Sequence, residues 1–205
     1  MPWVESLVGG LIGFSAAVVA EPLRARLFRA KLEFEFGQFL GCALESRKLD
    51  PKADPFVSTR ADGHDSIHYR MRVINKSRWT AKGVRLFLSQ VEVMDPSRAW
   101  GRVGYADTLS LPWSCRSEGR LGGIQMPSGI PHFADLISAR EIAPKDFQME
   151  ADGWSLRYST LIGYNATYRF TVTAVGDNCP ATSKAVVLTW NGDWRCLRQM
   201  QPSTD

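Results

Sequence analysis

The sequence predicts a mainly β chain: an antiparallel β-sandwich of about seven strands with an immunoglobulin-like arrangement, preceded by one N-terminal transmembrane helix. Three observations carry that prediction. Ser6–Ala20 is a run of 15 residues without a charge. From Leu32 onward the apolar pattern changes to simple alternation, the period of a half-buried strand. Beyond residue 46 no stretch has the apolar spacing of an amphipathic helix. Hydrophobic residues make up 44% and charged residues 22% of the 205, enough apolar material for a packed core, which excludes a disordered chain. The net charge of +4 is too small to announce a nucleic-acid binder and is compatible with an anionic membrane surface. Four cysteines are too few for a disulfide scaffold.

The organisation that follows is a transmembrane helix with a basic juxtamembrane segment over 1–30, a β-sandwich domain over 31–198, and a flexible polar tail over 199–205. An uncharged run of 15 residues reaches ~22 Å as a helix, less than the ~30 Å of hydrocarbon. The span therefore places Glu5 and Glu21 at the two interfaces, with Trp3 at the outer one. A secretory signal peptide would have a basic leading region, yet residues 1–23 hold no Lys or Arg. A buried core helix would show a polar face, and none appears before Glu21. Arg24, Arg26, Arg29 and Lys31 follow the span, so the positive-inside rule puts the C-terminal domain in the cytoplasm. These cations also suit anionic lipid headgroups. Gly9, Gly13 and Ala17 recur every fourth residue, a small-residue stripe on which two helices could associate closely.

The strands follow in order. Lys31–Gly37 alternates apolar with charged residues. Residues 38–60 read as an irregular connection with a short helix over Gln38–Ser46. Ile67–Asn75 turns Ile67, Tyr69, Met71 and Val73 to one face and His68, Arg70 and Arg72 to the other. Gly83–Val93 turns Val84, Leu86 and Leu88 inward. Leu109–Trp113 and Gly129–Ile137 are shorter. Thr167–Val175 alternates Tyr168, Phe170, Val172 and Ala174 against Arg169, Thr171 and Thr173, and Ala185–Trp190 closes the set. Gly176–Ser183 is rich in turn formers and reads as the connection between these last two strands. Residues 96–128, rich in Gly and Pro, read as a loop-rich excursion.

Val73-Ile-Asn-Lys-Ser-Arg-Trp-Thr-Ala-Lys-Gly-Val84 resembles the strand–turn–strand of bacterial immunoglobulin-like domains, where an Asn ends one strand and an Ala introduces the next. Ser77 stands where such domains usually carry a glycine. Leu111–Ser114 and Tyr168–Trp194 resemble the later strands of uncharacterised bacterial single-pass membrane proteins with a C-terminal domain of this kind. The resemblance covers residues 67–194. It implies the fold and a binding role, and it brings no catalytic residues.

Motifs that carry chemistry are sparse. Cys42, Cys115, Cys179 and Cys196 form no CxxC pair, and Cys179 and Cys196 flank a strand of ~20 Å, too far apart to bridge. Free thiols in a reducing cytoplasm are the simplest account. His64-Asp65-x-x-His68 offers two imidazoles without a recognisable third ligand, and His132 is distant in sequence. Gly119-Arg-Leu-Gly-Gly123 is glycine-rich but lacks the strand-before, helix-after context of a phosphate cradle. No nucleophile elbow, zincin helix or P-loop occurs. Basic residues Arg70, Arg72, Lys76, Arg78, Lys82 and Arg85 cluster around the second and third strands, with Trp79 in the turn. Cations interleaved with an aromatic suit single-stranded nucleic acid, a sheet face with acidic neighbours, or lipid.

The expectation is a membrane-anchored, non-enzymatic binding module on the cytoplasmic face of a bacterial inner membrane, with no cofactor or metal. Arg70, Arg72, Lys76, Arg78 and Trp79 form its possible binding face. Membrane lipid and a protein partner or second copy are the expected partners, rather than nucleic acid. The alternative is a ligand-sensing signalling or defence effector whose transmembrane helix oligomerises through Gly9, Gly13 and Ala17.

Overall fold

The computed structural model describes residues 20, 29–37, 57–59, 65–103, 108–114, 119, 121–140, 143–152, 162–163, 165–193 and 201–202. Apart from Ala20, the expected transmembrane helix with Gly9, Gly13 and Ala17 lies outside them, as do Arg24, Arg26, the short helix over 38–46, His64, Cys42, Cys115 and Cys196. Among the described residues no helix is long and apolar enough to cross a membrane.

The described chain is mainly β. Its strands are β1 (Leu32–Gly37), β2 (Val57–Thr59), β3 (Asp65–Asn75), β4 (Ala81–Met94), β5 (Trp100–Arg102), β6 (Leu109–Leu111), β7 (Ile124–Met126), β8 (Pro131–Arg140), β9 (Ala143–Met149), β10 (Ala166–Gly176), β11 (Cys179–Trp190) and β12 (Gln201–Pro202). They form two antiparallel sheets. One has five strands in the order β1-β3-β8-β9, with β2 also on β3; the other has seven in the order β12-β11-β10-β4-β5, with β6 and β7 also on β4. β1 and β2 share one edge of β3, opposite Arg70–Asn75 and Asp65–Ile67 respectively. Along one edge of β4 come β7 at Ala81 and Val84, β6 at Leu86–Leu88 and β5 at Glu92–Met94.

The long excursion over 96–128 therefore carries three short strands. A three-residue strand is too brief to display alternation, and the 14-residue β4 supplies the pairing edge that defines it. The expected connection over 176–183 is also shorter than its composition suggests. Gly176 pairs with Cys179, so only Asp177 and Asn178 form the turn, and β11 starts at Cys179. Neither turn residue has a positive φ. A turn of that kind splays its strands, which fits the register shift between Ala174 and Gly176. Gln201 and Pro202, within the stretch read as a tail, pair with Val187 and Val186.

Both sheets feed one hydrophobic cluster. Tyr69, Met71 and Val73 of β3, Val84, Leu86 and Leu88 of β4, and Tyr168, Phe170, Val172 and Ala174 of β10 are all buried, on the faces that alternation assigns. Trp113 and Trp190 are the largest fully buried side chains. Two bulges change the phase of that alternation. In β4, Thr171 faces Gln90 and Val172 faces Leu88, so Ser89 is the extra residue and the buried positions move from Leu88 to Val91. The Ser89 hydroxyl donates to the Thr171 carbonyl at 3.1 Å and lies 2.9 Å from the Thr173 hydroxyl. In β8, Tyr69 faces Ile137 and Arg70 faces Asp135, so Leu136 is the extra residue. That bulge sets the Asp135 carboxylate against the Arg70 guanidinium at 2.7 Å, with the Ser114 hydroxyl donating to the same oxygen at 2.7 Å.

Two polar contacts secure β10. The Tyr168 hydroxyl reaches back to the backbone of Gly163, accepting from its N–H at 2.7 Å and donating to its carbonyl at 3.2 Å. Burial pushes the phenol above its ordinary range. On the outer face, the Arg169 guanidinium donates to Glu92 at 2.6 Å and stacks 4.5 Å from the centre of the Trp100 ring. The hydrogen bond from Arg169 is the main cause holding the Glu92 carboxyl below its ordinary value of 4.5.

Tyr168→Phe leaves the Gly163 N–H and C=O without that hydroxyl, and its expected cost is about 1–2 kcal/mol, read as a lower urea midpoint at unchanged slope. The Glu92 pairing has a definite sign with pH. A carboxyl whose folded pKa is depressed contributes stability above its unfolded value and loses it as pH falls through the lower folded value. Glu92→Gln should therefore flatten the acid limb of a urea-midpoint profile below about pH 4.5, with no change in its slope near neutrality.

Candidate functional site

The residues expected to form one binding face divide into two groups. Arg70 and Arg72 project from the outer face of the five-stranded sheet, and each meets a carboxylate on a neighbouring strand: Asp135 on β8 for Arg70, Glu35 on β1 for Arg72. Arg70 and Asp135 are largely covered, whereas Arg72 and Glu35 are half-buried. Their charge is answered within the sheet, as expected for like-faced residues on paired strands. Lys76, Arg78 and Trp79 instead lie in the loop between β3 and β4, at one end of the fold. Lys76 approaches Glu33 at 3.9 Å with both side chains about half exposed, a loose surface pair. The Arg78 guanidinium sits 4.8 Å from the centre of the Trp79 ring.

Asn75 builds this end. It is fully buried and ends β3, as the motif Val73–Val84 implies, and the fully buried Ala81 opens β4. Its side-chain amide donates to the carbonyls of Trp79 at 2.6 Å and Met126 at 2.9 Å. Its side-chain oxygen accepts from the Ser77 N–H at 3.0 Å and the Ser77 hydroxyl at 2.7 Å. Its own carbonyl accepts from the Gly129 N–H at 2.9 Å. One amide thus closes the loop 76–80 and hangs the loop 127–130 beside it. Ser77 needs no glycine's freedom, because its φ is not positive, and its hydroxyl bonds the Asn75 side chain and the Trp79 carbonyl.

Asn178 makes the complementary set from the β10–β11 turn. Its side chain donates to the Thr80 carbonyl at 2.9 Å and accepts from the Lys82 N–H at 2.8 Å. Its backbone carbonyl accepts from the Ala30 N–H at 2.8 Å. Lys31 joins the same end, its carbonyl accepting from the Lys76 N–H at 2.8 Å. Close approach here demands glycine. Gly83 has a φ of +60°, and a Cβ on it would stand 2.6 Å from the Asp177 carboxylate. A Cβ on Gly123 would stand 2.9 Å from the Gly83 carbonyl oxygen.

Arg29, Lys31, Lys76, Arg78 and Lys82 are thereby carried at one end, all exposed, with Trp79 half-buried among them. Ile130 in the adjoining loop is 51% exposed, one of the two large hydrophobic residues exposed among those described. The sequence puts Arg29 and Lys31 after the expected span, and groups Lys76, Arg78 and Trp79, the last in the turn, with Arg70 and Arg72 on one binding face. The pairing of Leu32 with Asn75 makes them neighbours. Ile130 was missed, although Pro127-Ser-Gly-Ile-Pro131 carries a turn signal around a lone apolar residue. Arg85 lies further along β4, opposite Val175.

Other candidates do not converge. His68 faces Ser138, whereas His132 pairs with Val73 on the opposite face of β3 and meets the Trp113 ring edge-on at 6.2 Å. Among the described residues no group of three His, Cys, Asp or Glu gathers to hold a metal. Gly119–Gly123 leads into strand β7, and its Gly122 carbonyl accepts from the Trp113 indole at 3.2 Å. Cys179 carries a free thiol whose pKa is raised by burial and then by Asp177. No protein-family model matches the chain, and no curated protein matches it.

Asn75→Ala strands the buried Met126 carbonyl and the Ser77 N–H and removes one of two donors to the Trp79 carbonyl, and its expected cost is about 3 kcal/mol in urea unfolding. Asn178→Ala, whose side chain bonds a more exposed backbone, should cost about 1 kcal/mol on the same measurement.

Proposed function

We propose that the chain is a membrane-anchored, non-enzymatic binding module in which residues 6–20 span an inner membrane and the β body faces the cytoplasm. The observation that carries this reading is the way the chain enters the fold. Ala30 and Lys31 are hydrogen-bonded into one end of the β body, so a span upstream would hold the body by that end and leave the rest free for partners. The uncharged run of Ser6–Ala20 and the cations after it supply the anchor and its orientation.

The body itself reads as an immunoglobulin-like sandwich. Two antiparallel sheets sharing one cluster support that architecture. So does Tyr168, near the start of a long strand with its hydroxyl bonded to backbone five residues upstream, the arrangement called a tyrosine corner in such domains. The binding surfaces are sheet edges and loops. β9 ends the five-stranded sheet, and among the described residues the outer edge of β11 is paired only at Val186 and Val187. An edge of that kind offers backbone groups to a protein strand or to a second copy.

Membrane fractionation and a topology reporter fused after Asp205 test this together. The expected result is a chain that sediments with membranes, resists carbonate and salt extraction, and gives a cytoplasmic reporter signal. A reporter active only in the periplasm overturns the orientation, and a chain dissolved after lysis overturns the anchor.

A further inference from the structure

We propose that the end of the β body built from the loops 76–80 and 127–130 is a docking surface for an anionic lipid bilayer, resting the domain on the membrane that anchors it. The proposal deepens the anchored reading and rests on it for its geometry. Its own support is the composition of that end. Lys31, Lys76, Arg78 and Lys82 are exposed there with Arg29, against the carboxylates of Glu33 and Asp177. A half-buried Trp79 and an exposed Ile130 stand among them. Cations attract the headgroups, an indole settles at the interface, and an isoleucine gains by leaving water.

Nucleic acid is the weaker fit. A strand-binding groove needs several aromatic platforms along a basic track, and this end offers one indole and an aliphatic tip. The arginines that would extend the track, Arg70 and Arg72, are engaged by Asp135 and Glu35.

Reach and rigidity complete the case. Eight residues, 21–28, separate the uncharged run from Arg29. Whatever their conformation, they extend no further than about 28 Å. The far end of the fold lies another strand length away, since the 11 residues of β3 measure ~37 Å. The end carrying Lys76 and Ile130 is therefore the one held within reach of headgroups, at a high effective concentration. The two loops are also preorganised, because Asn75 and Asn178 fix their backbones before any lipid is met.

Hydrogen exchange on the full chain in lipid nanodiscs tests the proposal, comparing pure phosphatidylcholine with discs doped with phosphatidylglycerol. The expected result is slower exchange at 76–82 and 127–130 in the anionic discs, with the loop at 95–99 unchanged. Added salt should erase the difference. Combined Lys76→Glu, Arg78→Glu and Lys82→Glu should erase it too, since three cations shift the docking equilibrium on the order of 100-fold. Ile130→Asp, an exposed change that spares the fold, should weaken it alone. Equal exchange in both lipids, or equal protection at 95–99, overturns the proposal. So does protection by an added oligothymidylate in neutral discs without any effect of anionic lipid. Flotation reads the anchor separately. A chain that floats without lipid-dependent protection keeps the anchor and sinks the docking surface. A chain that fails to float, yet is protected at these loops by added phosphatidylglycerol vesicles, sinks the anchor and keeps the docking surface.

Discussion

A single buried amide organises one end of this fold. Asn75 has no exposed surface, and burying an amide is costly unless its donors and acceptor are satisfied. Here they are, by two carbonyls and by the N–H and hydroxyl of Ser77. These partners come from chain segments about 50 residues apart, so the amide specifies tertiary structure rather than a local turn. An apolar residue of the same size would leave the Met126 carbonyl without this donor and the Trp79 carbonyl with only the Ser77 hydroxyl. The geometry of both loops is thus inseparable from one side chain, and Asn178 extends the constraint to Ala30 and the chain's entry.

The two bulges show why a fold of long strands can still place charges selectively. A strict two-residue alternation along β8 would bring Leu136 opposite Arg70, an apolar side chain against a guanidinium. The extra residue instead brings Asp135 there and lets Ser114 share the carboxylate. In β4, the extra Ser89 shifts the buried face from Leu88 to Val91, which leaves Glu92 on the outer side beneath Arg169 and Trp100. Each bulge interrupts a ladder and is compensated by polar contacts that an uninterrupted ladder would not permit.

What the sequence revealed follows from what alternation can encode. The buried faces of β1, β3 and β10 were legible because each strand runs six residues or more with apolar and polar positions in strict turn. The phase change in β4 was not, because Ser89-Gln90 carries no sign that one residue will be skipped. β5, β6 and β7 were hidden for a different reason: three residues make no pattern, and they are strands only because β4 offers them an edge. The basic cluster was visible as composition but not as geometry. Its division between a neutralised sheet face and an exposed end depends on acids from β1 and β8, 37 and 65 residues away from their partners. Tyr168 was legible as core, whereas its bond to the backbone of Gly163, five residues upstream, is a contact that no periodicity reports.

The division of the cations also decides what each can contribute. A guanidinium that shares a covered carboxylate has already given up part of its water and has its charge answered, so approach to a polyanion would require breaking a paired contact. Arg70 is in that position, and Arg72 shares the half-buried Glu35. Lys82 and Arg78 are exposed on a backbone that needs no rearrangement, so the full attraction of an anionic surface is available to them. The loose 3.9 Å pair of Lys76 with Glu33 falls between, since a surface pair of that kind is worth little and yields readily to a competing phosphate. Electrostatic capacity is therefore concentrated where the chain enters the fold, with Arg29, Lys31, Lys76, Arg78 and Lys82 exposed there, whereas Arg70 and Arg72 of β3 are paired with acids. The acids of β1 and β8, rather than the count of basic residues, determine which end of the body carries the positive field.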